Sequence, residues 1–525
     1  MKKRTLTQLA SILLVLCMLL GISSLALAEN TADLAGNLYA SGYPIVKEKE
    51  SFSILMNNSG SPDDMLLFQT YETLTNMGVK WQMYDYDTCV EKKNLMYSSG
   101  DYPDAVATWC LSDSDILTYG GDVYIPVEEL IAKYAPNITK ALDTFPGARA
   151  ALTAPDGHIY GFAIMGPQAD CSWIMHINTA WLKNLKLEIP ETIEDFEKVL
   201  IAFKEQDANQ NGDQNDEIPL SFNAQNYLAM FGAFGRLDNV NHLVVEDGKV
   251  VFTANKAEYK AAVEWFKKLY DQVLLDPEVF TQDSVQFATK GKDERGSLYG
   301  VFIDYMGENT VGTERYADEY RALAPLEGPT GKRIWSEGDT WIFRNMMAIT
   351  SAAANPASIV RWIDGLYEPE MSYQICYGML GEWTEKRADG TYGYAAFPEG
   401  VTEQDVRNNY TVSAMPYCIL PEFDKQIEKA AGSLLKAASD SFITPYVTSE
   451  PWPRIWLTAA QNDELAIIQN DLLKLVDDKL VQWITGQSDL NADWDAYCET
   501  LTKMGVEKYQ SIYAQAVETY YTNAK

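Results

Sequence analysis

The residues with the most explicit chemistry run from Asp207 to Glu217, where Asp207, Asn209, Asn211, Gly212, Asp213, Asp216 and Glu217 crowd oxygen atoms into one short segment. Oxygen side chains at the first, third and fifth positions, with glycine at the sixth, turn alternate residues inward around a sharp bend, as in a calcium-binding EF-hand loop. Ca²⁺ takes roughly six to eight oxygens. Asp207, Asn209, Asn211, the Asp213 backbone carbonyl and Asp216 or Glu217 supply most of them. The twelfth position is Ile218 and not glutamate, and no second entering helix is evident. With no nucleophile nearby, the expected ion is structural.

Aromatic residues carry the second chemistry, with 13 tryptophans and 31 tyrosines in the chain. A sugar ring presents a flat apolar face and a rim of hydroxyls, so an aromatic platform flanked by polar side chains holds it well. Aromatics are also common core material. Those at expected strand ends or in loops are the better candidates: Trp109, Trp173, Tyr227, Tyr305, Trp341 and Trp383, with Asp304 and Arg344 as polar partners.

Catalytic patterns are sparse. His158, His176 and His242 lack metal-ligand spacing and read as surface or hydrogen-bonded residues. There is no GxSxG elbow and no GxGxxG, and Gly328–Arg333 (GPTGKR) lacks the spacing and hydroxyl of a phosphate loop. The chain is therefore not expected to be an enzyme. The rival reading is a secreted, calcium-containing glycoside hydrolase, which needs two carboxylates about 5–10 Å apart across a sugar cleft. With 74 acidic residues, such a pair is not identified by inspection.

The elements that must position these residues alternate between strand and helix. Phe52, Ile54 and Met56 alternate as a strand does; a helix is expected over 63–77, closed by Gly78, then a strand over 79–84, a helix over 91–98 ending at Gly100, and a strand over 104–109. Thr192 with Asp195 resembles a capping box, followed by Phe196, Val199, Leu200 and Phe203 on one helical face. Strands are expected over 297–304 and 340–350. A helix with Pro356 in its first turn buries Ile359, Val360, Ile363 and Leu366, and the last hundred residues are mainly helical, with Leu465, Ile468, Leu472 and Val476 on one face. Short links between alternating strands and helices indicate an α/β fold with largely parallel sheets.

Export is expected from the first 28 residues. Lys2, Lys3 and Arg4 precede an apolar run from Leu9 to Leu20 and a small-residue cleavage site at Ala26-Leu27-Ala28. Cys17 follows Leu16 inside that run, so lipidation there is not expected. Residues 29–43 read as a flexible lead-in. The formal charge is −32, and loss of a leader with three basic residues takes it to −35. So acidic a surface repels nucleic acid and anionic headgroups. The other six cysteines are widely spaced, and spacing leaves their pairing open.

Five stretches carry a family resemblance: Ser99–Trp109, Ala154–Pro167, Ile177–Pro219, Asn355–Tyr367 and Trp483–Tyr497. In content and order the chain resembles extracellular solute-binding proteins of the maltodextrin- and alginate-binding, LipO-like type, which serve ABC importers. The resemblance implies a type II periplasmic-binding-protein fold, with two α/β lobes, a hinge and a ligand cleft between lobes. It places 44–165 plus 341–400 in one lobe and 166–340 plus 401–525 in the other. It also implies a monomer that binds an oligosaccharide and passes it to ABC permease subunits, and sugar stacking at Tyr227 and Tyr305.

Overall fold

The computed structural model describes residues 33–524, apart from 40, 59, 168–172, 337–340, 400, 402–404, 408–409, 413 and 430. The expected leader lies outside the described residues. Besides two small hairpins, Asp33–Ala35 with Leu38–Tyr39 and Thr384–Lys386 with Tyr392–Tyr394, the strands are, in chain order, β1 (Glu50–Asn57), β2 (Met77–Tyr84), β3 (Ala105–Ala107), β4 (Gly161–Met165), β5 (Ile174–Asn178), β6 (Ile218–Phe222), β7 (Leu243–Glu246), β8 (Lys249–Phe252), β9 (Tyr299–Asp304), β10 (Tyr320–Leu323), β11 (Ile342–Ile349) and β12 (Tyr417–Cys418).

Two compact units divide the chain. Unit one takes the described residues up to Pro146, with Gly157–Met165 and Phe343–Phe423; unit two takes Gly147–Asp156, Gly166–Ile342 and Asp424 onward. The sequence reading ended the first unit near 400. The chain stays with unit one to Phe423 because β12 pairs with β4, Tyr417 opposite Ile164. The short excursion Gly147–Asp156 belongs to unit two, where Trp456 Nε1 donates to the Ala151 carbonyl at 2.8 Å. Gly147 has φ +76, and a Cβ there would meet the Tyr520 hydroxyl at 2.0 Å, so only glycine fits.

Unit one is built on a six-stranded sheet in the order β12-β4-β11-β3-β1-β2. β1 runs parallel to both β2 and β3, while β11 is antiparallel to β3 with Met347 opposite Ala107. The helix Leu66–Thr75 stops at Asn76, whose φ of 60° is left-handed. Asn tolerates that conformation, so it ends the helix where Gly78 was expected to. Gly78 lies inside β2. The next helix, Tyr86–Ser99, starts on Asp85, which accepts from Thr88 N–H, and ends on Gly100 at φ 76°. Pro356–Leu366 begins with proline and buries Ile359, Val360, Ile363 and Leu366. Its Trp362 meets Phe52 at 5.2 Å and Phe68 at 5.9 Å. Burying each such side chain stabilises by about 1.5–3 kcal/mol.

The expected flexible lead-in is partly ordered instead. Leu38 is buried, Tyr39 N–H donates to the Ile45 carbonyl, and Asn37 Nδ2 donates to Glu50 Oε1 at 2.7 Å.

Unit two has a four-stranded sheet, β10-β5-β9-β6, in which β9 is parallel to β6 and β5 is antiparallel to both neighbours. Thr192 caps the helix Ile193–Glu205 by accepting from Asp195 N–H, and Phe196, Val199, Leu200 and Phe203 are buried. The C-terminal helices are Ala459–Ile484, Leu490–Met504 and Val506–Asn523. Leu465, Leu472 and Val476 are buried, and Ile468 is half-buried against the same core.

Candidate functional site

In open α/β sheets, ligands gather at the carboxyl ends of parallel strands. In unit one that end carries Trp109. It follows β3 in the short 3-10 turn Thr108–Cys110 and remains 49% exposed. Three constraints hold this turn. The Thr108 hydroxyl accepts from Asn57 N–H (2.9 Å) and donates to the Asn57 carbonyl (3.1 Å). Cys110 is disulfide-bonded to Cys89 on the helix Tyr86–Ser99, a pairing that spacing alone left open. Thr108 itself has φ 61°, a conformation unfavourable for a β-branched residue unless its surroundings impose it.

Phe343, at the start of β11, meets Trp109 edge-to-face at 6.0 Å. Next to it, Arg344 grips Asp113 with two hydrogen bonds, Nε to Oδ1 at 3.0 Å and Nη2 to Oδ2 at 2.5 Å, and Asn345 Nδ2 adds a third at 2.7 Å. The sequence-predicted Trp109 and Arg344 thus share one sheet end. Phe343 and Asp113 complete it and were missed, since the β3–β11 register that unites them is a tertiary fact.

In unit two, Ile174 of β5 pairs with Asp304 of β9, which brings Trp173 and Tyr305 to the same end of the sheet. Trp173 is 40% exposed, its carbonyl anchored by Nε1 of the buried Trp335 at 2.7 Å. Asp304 accepts from Tyr305 N–H (2.7 Å) and Thr310 Oγ1 (2.5 Å), and burial raises its carboxyl above the usual range. Lys436 Nζ lies 4.4 Å from the Tyr305 ring centroid.

Tyr227 is placed differently. Only 2% exposed, it stacks on Phe222 at 4.5 Å and is edged by Phe231, Phe266 and Phe280, so it is core and offers no open face. Trp341 packs on Gly166, where a Cβ would come within 2.6 Å of its ring. Trp383, in unit one, lies against Tyr410 at 4.6 Å. The histidines divide. His158 is exposed and meets Glu128 at 2.7 Å. His176 is buried against the Tyr316 hydroxyl, and burial lowers its pKa to about 3. His242 is fully buried and bonded to Asp238 at 2.9 Å.

The Asp207–Glu217 loop is compact, with Gln210 at φ 58° and Gly212 at φ 92°. Asp207 Oδ2 accepts from Gly212 N–H, Asn209 Oδ1 from Asn211 N–H, and Asn211 Oδ1 from Asp213 N–H. Asp216 accepts from both Asn209 and Asn211 amides, and Glu217 Oε1 from Ala208 N–H at 2.8 Å. Asp207 Oδ1 and Glu217 Oε2 are buried without hydrogen-bond partners, and burial raises the Glu217 carboxyl. Buried oxygens left unpaired are costly unless something positive meets them, so this donor set fits a hard cation. Among the described residues no three His, Cys, Asp or Glu side chains converge as a metal cluster. The loop's fit depends instead on its amide and carbonyl oxygens.

Comparisons with known proteins agree with this architecture. The family model for bacterial extracellular solute-binding proteins matches residues 67–292. The chain is 33% identical over 509 residues to the fructooligosaccharide ABC transporter substrate-binding protein FusA of Streptococcus pneumoniae, covering 91% of this chain and 92% of FusA. It is 21% identical over 487 residues to the polygalacturonan/rhamnogalacturonan-binding protein YtcQ of Bacillus subtilis, covering 90% and 93%. The solved structure of FusA with kestose superposes at a TM-score of 0.74 and 32% identity, covering 90% of this chain and all of that one. An EF-hand mutant of FusA with fructo-nystose gives the same figures. A solute-binding protein from Bifidobacterium longum infantis that binds human-milk oligosaccharides shares the fold, at 0.80 and 19%, with coverage of 90% and 99%. Among the described residues no helix is long and apolar enough to cross a membrane.

Proposed function

The chain belongs to the bacterial extracellular solute-binding proteins of ABC transporters, and on that premise we propose that it captures an oligosaccharide of the fructooligosaccharide class outside the cell and passes it intact to membrane permease subunits. The carrying observation is the exposure of Trp109 and Trp173 at sheet ends in a chain whose other tryptophans are all buried or half-buried. Leaving roughly 100 Å² of indole in water forgoes roughly 2.5 kcal/mol. That sacrifice is recovered when an apolar sugar face covers the ring. Arg344 and Asp113, locked to one another, present fixed polar edges beside Trp109.

Calcium belongs to the same reading. Asp207, Asn209, Asn211, the Asp213 carbonyl, Asp216 and Glu217 would hold it, supported by the two unpartnered buried oxygens. When bound, the ion supplies positive charge that neutralises the loop. The residues themselves tie the end of Ile193–Glu205 to the start of β6. Export by the 1–28 leader and action as a monomer complete the proposal.

Calorimetric titration with kestose tests it. Trp109→Ala and Trp173→Ala should each weaken binding tenfold or more, about 1.4 kcal/mol per tenfold, with unchanged melting temperatures. Unaltered affinity in both variants would refute the assignment of these platforms.

A further inference from the structure

Unit two contains a pocket of about 700 Å³ whose walls include Trp173, Trp452 and the loop Arg236–Asn241. Its volume is within the usual range for small-ligand sites, roughly 300–1,000 Å³. The loop that shapes it is held from behind at evident cost. Asp238 is buried, and accepts from the Thr253 hydroxyl at 2.5 Å and from His242 Nδ1 at 2.9 Å. His242 is also buried, has φ 51°, and places Nε2 3.7 Å from Asp477. Asn239 Oδ1 accepts from Asn241 N–H at 2.9 Å while its Nδ2 donates to the Leu243 carbonyl at 2.6 Å. A buried ion pair rarely stabilises more than a well-packed apolar pair, and a non-glycine residue at positive φ adds strain. Such features persist where the shape of a loop matters more than its stability.

The walls suit a sugar. Trp173 exposes indole, and Trp452 is braced edge-to-face by Tyr513 at 5.9 Å. Glu246, Asp247, Glu258 and Glu450 line the pocket against Arg236 and Lys332, while the Asp238 carboxylate is turned away into its contacts with Thr253 and His242. Arg236 is itself bridged to Glu246 (2.9 Å) and Glu258 (3.6 Å). Even with His242 counted as a cation, carboxylates outnumber positive groups. Carboxylates accept hydrogen bonds from hydroxyls, while a second carboxylate brought beside them is repelled.

We propose that this pocket is where unit two holds the sugar, that it selects neutral, hydroxyl-rich rings over uronic acids, and that Trp452 is a specificity-determining contact in it. The proposal rests on the oligosaccharide reading above and adds the place and the ligand class.

The test is calorimetric titration of the full chain with kestose and with an oligogalacturonate of equal length, in wild type, Trp452→Ala, Trp452→Phe and Trp109→Ala, with a thermal melt of each. Kestose should bind at least a hundredfold more tightly than the uronate. Trp452→Ala should weaken kestose tenfold or more, and Trp452→Phe, which keeps an aromatic face, should restore most of it. If Trp109→Ala weakens kestose while both Trp452 variants stay within twofold of wild type, the pocket is overturned and the oligosaccharide reading stands. A preference for the uronate overturns the selectivity. If wild type binds neither sugar, the oligosaccharide reading fails, and this inference with it.

Discussion

Removing the disulfide by Cys89→Ala with Cys110→Ala should affect both stability and binding, for separable reasons. The bridge joins cysteines 21 residues apart, both buried, and ties the first turn of Tyr86–Ser99 to the turn that presents Trp109. Closing a loop of that length removes about 3 kcal/mol of chain entropy from the unfolded state. Urea denaturation should therefore show a loss of about 3 kcal/mol in the transition that reports unit one. Trp109 would keep the Thr108 tether to Asn57 but lose the covalent one at its neighbour. Kestose affinity should then fall several-fold, and in a Trp109→Ala background removal of the bridge should cost no further affinity. Such a cycle isolates coupling between bridge and indole. A stability loss under about 1 kcal/mol, or binding losses that simply add, would refute the reasoning.

Tyr227→Ala should cost about 3–5 kcal/mol of stability, as for a large aromatic removed from a packed core, whereas kestose affinity of the folded fraction stays unchanged; paired melts and titrations check this. At His242, burial opposes the charged form, yet Asp238 and Asp477 overcome it and raise the pKa to about 9. A folded pKa above the unfolded value of 6.5 means that the stabilisation is complete below pH 6.5 and is lost as pH rises through 9. The melting temperature should fall between pH 7 and 10, and His242→Gln should flatten that fall. Calcium at a hundredfold excess over its Kd should stabilise the protein by about 2.7 kcal/mol. EDTA should reverse that gain and Asp207→Ala abolish it; equal responses of wild type and variant to EDTA would mean that the loop is only a turn.

Local patterns in the sequence were enough to anticipate much of the fold. The stripe Phe196, Val199, Leu200 and Phe203 is buried on a helix capped by Thr192, and Pro356 opens the helix that buries Ile359 and Ile363. These follow from periodicity and capping, which act within a few residues. The helix end at Asn76 was harder, because Asn and Gly compete for the left-handed position and Gly78 lay close by. The site was legible only in part. Trp109 and Tyr305 stand just beyond expected strands and Trp173 just past the expected lobe boundary, so local punctuation was enough to mark them. Tyr227 also sits in an expected loop, but its neighbours Phe222 and Phe231 and the sequence-distant Phe266 and Phe280 enclose it. Asp113, Phe343, Asp238 and Trp452 acquire their neighbours through sheet register and loop packing, and no short-range pattern encodes those.

The central claim, reversible capture without cleavage, is tested most directly by titrating wild-type protein with kestose in a calorimeter and then analysing the recovered sugar by chromatography. The account predicts saturable one-site binding and quantitative recovery of intact kestose after prolonged incubation. Accumulation of shorter sugars, abolished by removal of a single carboxylate, would contradict it and identify a hydrolase.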